Sequence, residues 1–183
     1  MLEAACVPFE TVDAVFDEDG VKASLRKAGL GAADLALALA REKAMAAPAG
    51  PGDLVLGSDS TLELDDGEML DKPGSADELS SQLARMSGRR HHLHSAAVIV
   101  EQGRPVFSTL QSPAMHVRPL GEDFLRDYVA REYESVRWSV GGYHVEGRGV
   151  QLFDHIEGSL FAVQGLPLIP LLAFLRMRGL VAA

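Results

Sequence analysis

Asp59 stands in "LVLGSDSTLEL", Leu54 to Leu64, where an apolar run reads as a buried strand and a charge is costly. On a period of two, Val55, Gly57, Asp59 and Thr61 share one face of that strand, while Leu54, Leu56 and Leu62 share the other. Asp59 therefore points the same way as Gly57, whose missing side chain leaves room beside it. A desolvated carboxylate needs a cationic partner, a metal or a raised pKa; one near a strand end instead faces water or caps a turn. Lys72 follows the next turn, and Pro73 restricts the backbone at its own position and at the one before. An ammonium there is a solvated charge at a hairpin edge or, beside the free N–H groups of a helix starting at Ser75, part of a phosphate site.

Other candidates carry less information. Lys43 falls in the last turn of a helix, where a cation is stabilising whether or not it meets a ligand. "RRHHLH" puts His92 and His94 on one strand face, a spacing for two metal ligands without a third, or simply a solvated face. "GGYHVEGRG" has neither the dinucleotide fingerprint nor a P-loop, and Ser58 and Ser60 fit no nucleophile elbow.

The elements that must position these residues follow from periodicity and punctuation. "FETVDAV", Phe9 to Val15, alternates as a strand with one buried face, while Leu2, Ala5 and Cys6 fall at helical spacing before it. Asp19 is placed to cap a short helix with Val21, Ser24, Leu25 and Ala28 on its inner side, ended by Gly29. A longer helix covers about Ala33 to Ala47. After the strand of Asp59 come a turn at Asp65 to Gly67 and a return strand, Glu68 to Leu70. In "SADELSSQLARMSG", Ser75 and Glu78 make a capping box and Leu79, Leu83 and Met86 line one face up to Gly88. A second hairpin spans His91 to Val117, and "LGEDFLRDYVAREY" is a helix burying Phe124, Leu125, Tyr128 and Val129. Short strands and glycine turns lead to a last helix from about Leu168 to Arg178. Interleaved helices and strands give an α/β class with a mixed sheet.

At 183 residues, 47% hydrophobic, the chain fits one domain with a real core. A net charge of −9 disfavours duplex nucleic acid and anionic membranes, though a small anion can still be held by local cations. A single cysteine forms no internal disulfide, and no secretory signal is evident. The most apolar stretch, Leu166 to Leu175, is about half the ~20 residues a membrane span needs. These features predict a cytoplasmic protein without a membrane partner.

Taken in order, several segments resemble the Maf family of nucleoside triphosphate pyrophosphatases. They are "PFETVDAVFDE", "LAREKA", "GSDS", "DKP", "LARMSGRRH", "SVGGYHVEG" and "HIEGSLFAVQGLPLIPL". The resemblance runs from Leu2 to Leu180 and implies one Maf-like domain over residues 1–183. The implied fold is a long twisted mixed sheet flanked by helices, of inosine triphosphatase-like architecture, with a cleft between two lobes. The implied reaction is attack of water on a nucleoside triphosphate, giving the monophosphate and pyrophosphate, with magnesium or manganese. By motif, Asp59, Glu18 and Lys72 become catalytic, Lys43, Lys72 and Glu146 bind substrate, and Asp59 and Glu18 hold the metal. A homodimer is compatible with the family.

Departures from the family pattern carry expectations of their own. The family opens with a strand and a Ser-x-Ser loop with paired arginines that cradles phosphate, and this sequence starts after that point; its first strand and phosphate loop are expected to be missing. That makes a nucleotide-binding regulator of septum formation, with little turnover, the alternative to an enzyme. "GSDS" stands where the family often has Gly-Ala-Asp-Thr, and keeps a hydroxyl. Trp138 and Ser139 replace a charged pair, and Glu146 replaces a glutamine, which is expected to alter the preferred nucleotide.

Overall fold

In the computed structural model, which describes residues 1–182, the helix and strand signals resolve into twelve elements besides two short 3-10 turns. They are α1 (Glu18–Lys27), α2 (Ala32–Ala46), β1 (Leu54–Leu64), β2 (Met69–Leu70), α3 (Ala76–Met86) and β3 (Arg90–Glu101). There follow β4 (Arg104–Gln111), β5 (Ala114–Val117), α4 (Glu122–Val136), β6 (Phe153–Glu157), α5 (Leu160–Val163) and α6 (Leu168–Met177). The α/β class holds. The strands form one open sheet in the order β2-β1-β3-β5-β6, with β4 also paired to β3. The β1–β2, β3–β4, β3–β5 and β5–β6 ladders are antiparallel.

Contacts divide the chain into two compact units, one of residues 1–60, 95–111 and 159 onward, the other of residues 61–94 and 112–158. In the first, β3 is covered on both faces. Ala97 and Ile99 pack with Leu168, Leu171, Phe174 and Leu175 of α6, while Ala96, Val98 and Val100 pack with Ala36, Ala40 and Ala44 of α2. That double cover explains why "SAAVIV" reads as an unbroken apolar run. In the second unit, Leu79, Leu83 and Met86 of α3, Met115 of β5 and Tyr128 of α4 are fully buried.

The capping signals carry through with shifts of a residue. Ser75 accepts from the Glu78 amide at 3.1 Å, but the Glu78 carboxylate bonds the Gly74 amide at 2.9 Å, one residue outside the predicted box. Ser75→Ala is expected to cost about 1 kcal/mol, seen as a lower urea midpoint with unchanged slope. α1 is capped by Asp17, which accepts from Gly20, and not by Asp19, which lies inside the first turn.

Two expectations fail at the start of the chain. Phe9 to Val15 belongs to no strand, and Val15 is 91% exposed. Alternation makes a strand only where a neighbour completes the ladder, and this segment has none among the described residues. Only a 3-10 turn, Glu3–Ala5, forms before it. The expected second hairpin is real for β3 and β4, turning at Gln102 and Gly103, both at positive φ. Pro113, lacking an N–H, then interrupts the chain, and β5 resumes alongside Arg90 to His92 as a separate strand.

Candidate functional site

Asp59 owes its surroundings to Gly57. α2 lies so close to β1 there that a Cβ on Gly57 would strike the Ala40 carbonyl and come within 2.8 Å of the Ala44 amide nitrogen. The close approach carries Lys43, between those two residues in sequence, over the strand face two residues further on. The Lys43 ammonium meets the Asp59 carboxylate at 2.5 Å and the Glu18 carboxylate at 2.9 Å. Glu18 arrives as the first residue of α1, where the helix dipole favours a carboxylate, and Lys43 sits in the last turn of α2, where it favours a cation.

The cluster is partly withdrawn from water. The side chains of Asp59, Lys43 and Glu18 are 10%, 23% and 34% exposed. Burial pushes the Asp59 carboxyl above the ordinary aspartate range, with the Glu18 charge adding to the shift and the Lys43 ammonium opposing it. Burial also works against the charge on Lys43, but the Asp59 and Glu18 carboxylates outweigh it and hold the ammonium above the ordinary lysine range. The two shifts keep Lys43 an ammonium and make the Asp59 carboxyl the easier of the two to neutralise on the acid side. If ionised Asp59 is needed, kcat/KM falls as pH drops through a pKa above the usual ~3.9 of aspartate. Glu18→Gln removes a charge that raises that pKa, so it is expected to move the acid limb to lower pH; an unmoved limb would separate Glu18 from Asp59.

The opposite face of β1 anchors the strand. Ser58 Oγ lies 2.8 Å from both the Ala96 and Gly165 carbonyls. Ser60 and Ser95 hydroxyls meet at 2.8 Å, and Ser95 donates to the Ala162 carbonyl. The serines of "GSDS" thus hold the strand whose other face carries Asp59, and the hydroxyl at Ser60, where threonine is common in the family, is used. Lys22, one turn beyond Glu18, also lowers the Asp59 pKa by its charge. It was not among the predicted residues, although its i, i+4 spacing from Glu18 was the signal for it.

Lys72 and Glu146 belong to the second unit. Lys72 is exposed in the loop between β2 and α3, next to buried Pro73. Glu146 is exposed in the glycine-rich loop between α4 and β6. His92 and His94 stack at 6.1 Å, but His94 directs its two nitrogens to Ser112 and Glu63, and it is buried, which excludes a solvated face at that residue. Among the described residues, no group of three or more His, Cys, Asp or Glu is arranged to hold a metal ion. No helix among them is long and apolar enough to cross a membrane.

A half-buried aspartate beside a glycine-permitted helix approach, with a lysine and a second carboxylate converging on it, is set in an α/β fold that carries the Maf motifs in order. The chain belongs to the Maf family: the family model described as "Maf-like protein" matches residues 1–178. It is 48% identical over 181 residues to the nucleoside triphosphate pyrophosphatase of Sphingopyxis alaskensis, covering 98% of this chain and 91% of that protein. The proteins of the same name from Caulobacter vibrioides and Ruegeria pomeroyi are 44% and 43% identical, covering 98% and 99% of this chain and 89% and 91% of theirs.

Proposed function

We propose that this protein hydrolyses nucleoside triphosphates between the α and β phosphates, releasing the nucleoside monophosphate and pyrophosphate. The observation that carries this reading is the convergence of Asp59 and Glu18 on the Lys43 ammonium at 2.5 and 2.9 Å. Membership of the Maf family and the names of the relatives support it. The family match across residues 1–178 supports treating both compact units as one functional domain.

The chemistry follows from charge. A triphosphate must be partly neutralised before water can approach the α phosphorus, and Lys43 and Lys72 supply positive charge for that purpose. Asp59 takes the proton of the attacking water, or would hold a cation beside it; the new bond forms at the α phosphorus, and the α–β anhydride breaks with pyrophosphate leaving. Two hard carboxylate donors without a third protein ligand suit magnesium or manganese, which bind through one or two carboxylates and substrate phosphates. Glu18 and Asp59 are the residues that would hold it. A cation held there would supply positive charge to offset that developing on the phosphates. Glu146 is assigned to substrate contact by its place in the glycine-rich motif. The single cysteine, which can form no internal disulfide, fits the cytoplasmic setting of this reading.

The test is product analysis on one preparation in which nucleotide binding is also measured. Equal amounts of monophosphate and pyrophosphate, lost on chelation of divalent ions, are expected. Diphosphate and orthophosphate as products would overturn the assignment of the cleaved bond. Tight binding with no product would favour a nucleotide-binding regulator.

A further inference from the structure

The loop that carries Glu146 is pinned from within the second unit. It turns through Gly141 and Gly142, with φ of +83° and +66°. A side chain at Gly142 would collide with Leu79 and stand 3.7 Å from Pro73, so the residue after Lys72 shares this support. The Tyr128 hydroxyl donates to the Gly142 carbonyl at 3.2 Å. Tyr143 is buried with its ring edge-on to Phe153 at 4.9 Å, and its hydroxyl lies 2.7 Å from His91 Nε2. Beyond this buried base the chain runs out to exposed Glu146.

His91 is an expensive way to fill that space. It is 0% exposed, and burial lowers its pKa to about 3, so the ring is neutral at any working pH. Its Nδ1 has no hydrogen-bond partner among the described residues. An orphaned buried polar atom costs about 1–3 kcal/mol, which matches or exceeds the ~1 kcal/mol of a single hydrogen bond. Phenylalanine would pack against Tyr143 and Phe153 and remove the orphaned Nδ1, but would leave the Tyr143 hydroxyl without its partner. What the imidazole supplies and phenylalanine cannot is a fixed hydrogen-bond partner for the Tyr143 hydroxyl.

We propose that His91 is a positioning residue that, through Tyr143, fixes the loop bearing Glu146 and thereby sets which nucleobase is preferred. This rests on the reading of Glu146 as a substrate contact. Rule-breaking buried polar groups are most readily kept where function uses them, and the loop at the other end of this hydrogen bond is where that use falls.

Steady-state kinetics over a panel of nucleoside triphosphates at fixed magnesium test it, with His91→Phe, His91→Gln, Tyr143→Phe and Glu146→Gln beside the wild type. Loss of the hydrogen bond in His91→Phe and Tyr143→Phe is expected to raise KM for the preferred nucleotide roughly two- to tenfold. In both, kcat changes little and the preference between bases narrows; His91→Phe exchanges the orphaned Nδ1 for an orphaned Tyr143 hydroxyl and melts close to wild type. His91→Gln, whose amide reaches the place of Nε2, is expected to recover the preference. A lower melting temperature with KM and preference unchanged would reduce His91 to a structural role and overturn the proposal. An altered preference in Glu146→Gln alone would also overturn it, while leaving Glu146 as a substrate contact; an unaltered preference in Glu146→Gln removes that contact and the proposal with it. If His91→Phe does not fold, Tyr143→Phe, which loses one oxygen, decides.

Discussion

Asp59→Asn is expected to lower pyrophosphate release on the order of a hundred- to ten-thousand-fold while leaving the fold in place, the range spanned when a positioned acid or base is removed. Asparagine keeps the size of the side chain but can neither take a proton from water nor hold a cation as an anion. The fold should survive because Lys43 keeps Glu18 at 2.9 Å and retains some access to solvent, so no ammonium is left alone in a dry interior. Burial already works against the Asp59 charge, so its removal also lifts a desolvation cost that partly offsets the lost ion pair. Circular dichroism and the urea midpoint check the first half of this expectation, and a coupled pyrophosphate assay checks the second. Undiminished turnover would take Asp59 out of the mechanism.

Gly57→Ala is expected to damage both stability and activity, though it adds only a methyl group and touches no charged residue. The new Cβ would overlap the Ala40 carbonyl and crowd the Ala44 amide, backbone atoms of α2 that cannot rotate aside as a side chain tip would. α2 must move away from β1, opening the packing of Ala36, Ala40 and Ala44 against Ala96, Val98 and Val100. Overpacking of this kind costs about 1–3 kcal/mol. The same displacement draws Lys43 from Asp59, so activity measured at equal folded concentration falls as well. A loss of stability with full activity would show that the Lys43 contact does not matter to turnover.

These two residues also mark what could be read in the sequence. Asp59 was legible because an aspartate on a strand face is costly enough to demand a reason, and Gly57 because a glycine on that face leaves space. What fills the space was not legible from spacing: that α2 enters it, and brings Lys43, depends on tertiary packing that a period of two or 3.6 does not encode. Lys43 and Glu18 were singled out through family resemblance, and the structure brings both to Asp59. The helix of Ser75 was readable nearly to the residue because cap, apolar stripe and closing glycine agree. Phe9 to Val15 misled because its alternation is a local property while a strand is a shared one. His94 misled for the opposite reason, its burial and its bonds to Ser112 and Glu63 coming from elements distant in sequence.

The most direct measurement is the affinity for Mn2+, followed by electron paramagnetic resonance, in the presence of an α,β-methylene nucleoside triphosphate that resists cleavage. Asp59→Asn and Glu18→Gln are each expected to weaken Mn2+ binding by about tenfold or more, the loss of roughly 1.4 kcal/mol from one anionic ligand. Unchanged Mn2+ affinity in both variants would contradict the assignment of these carboxylates as the seat of the metal and of the hydrolysis it supports.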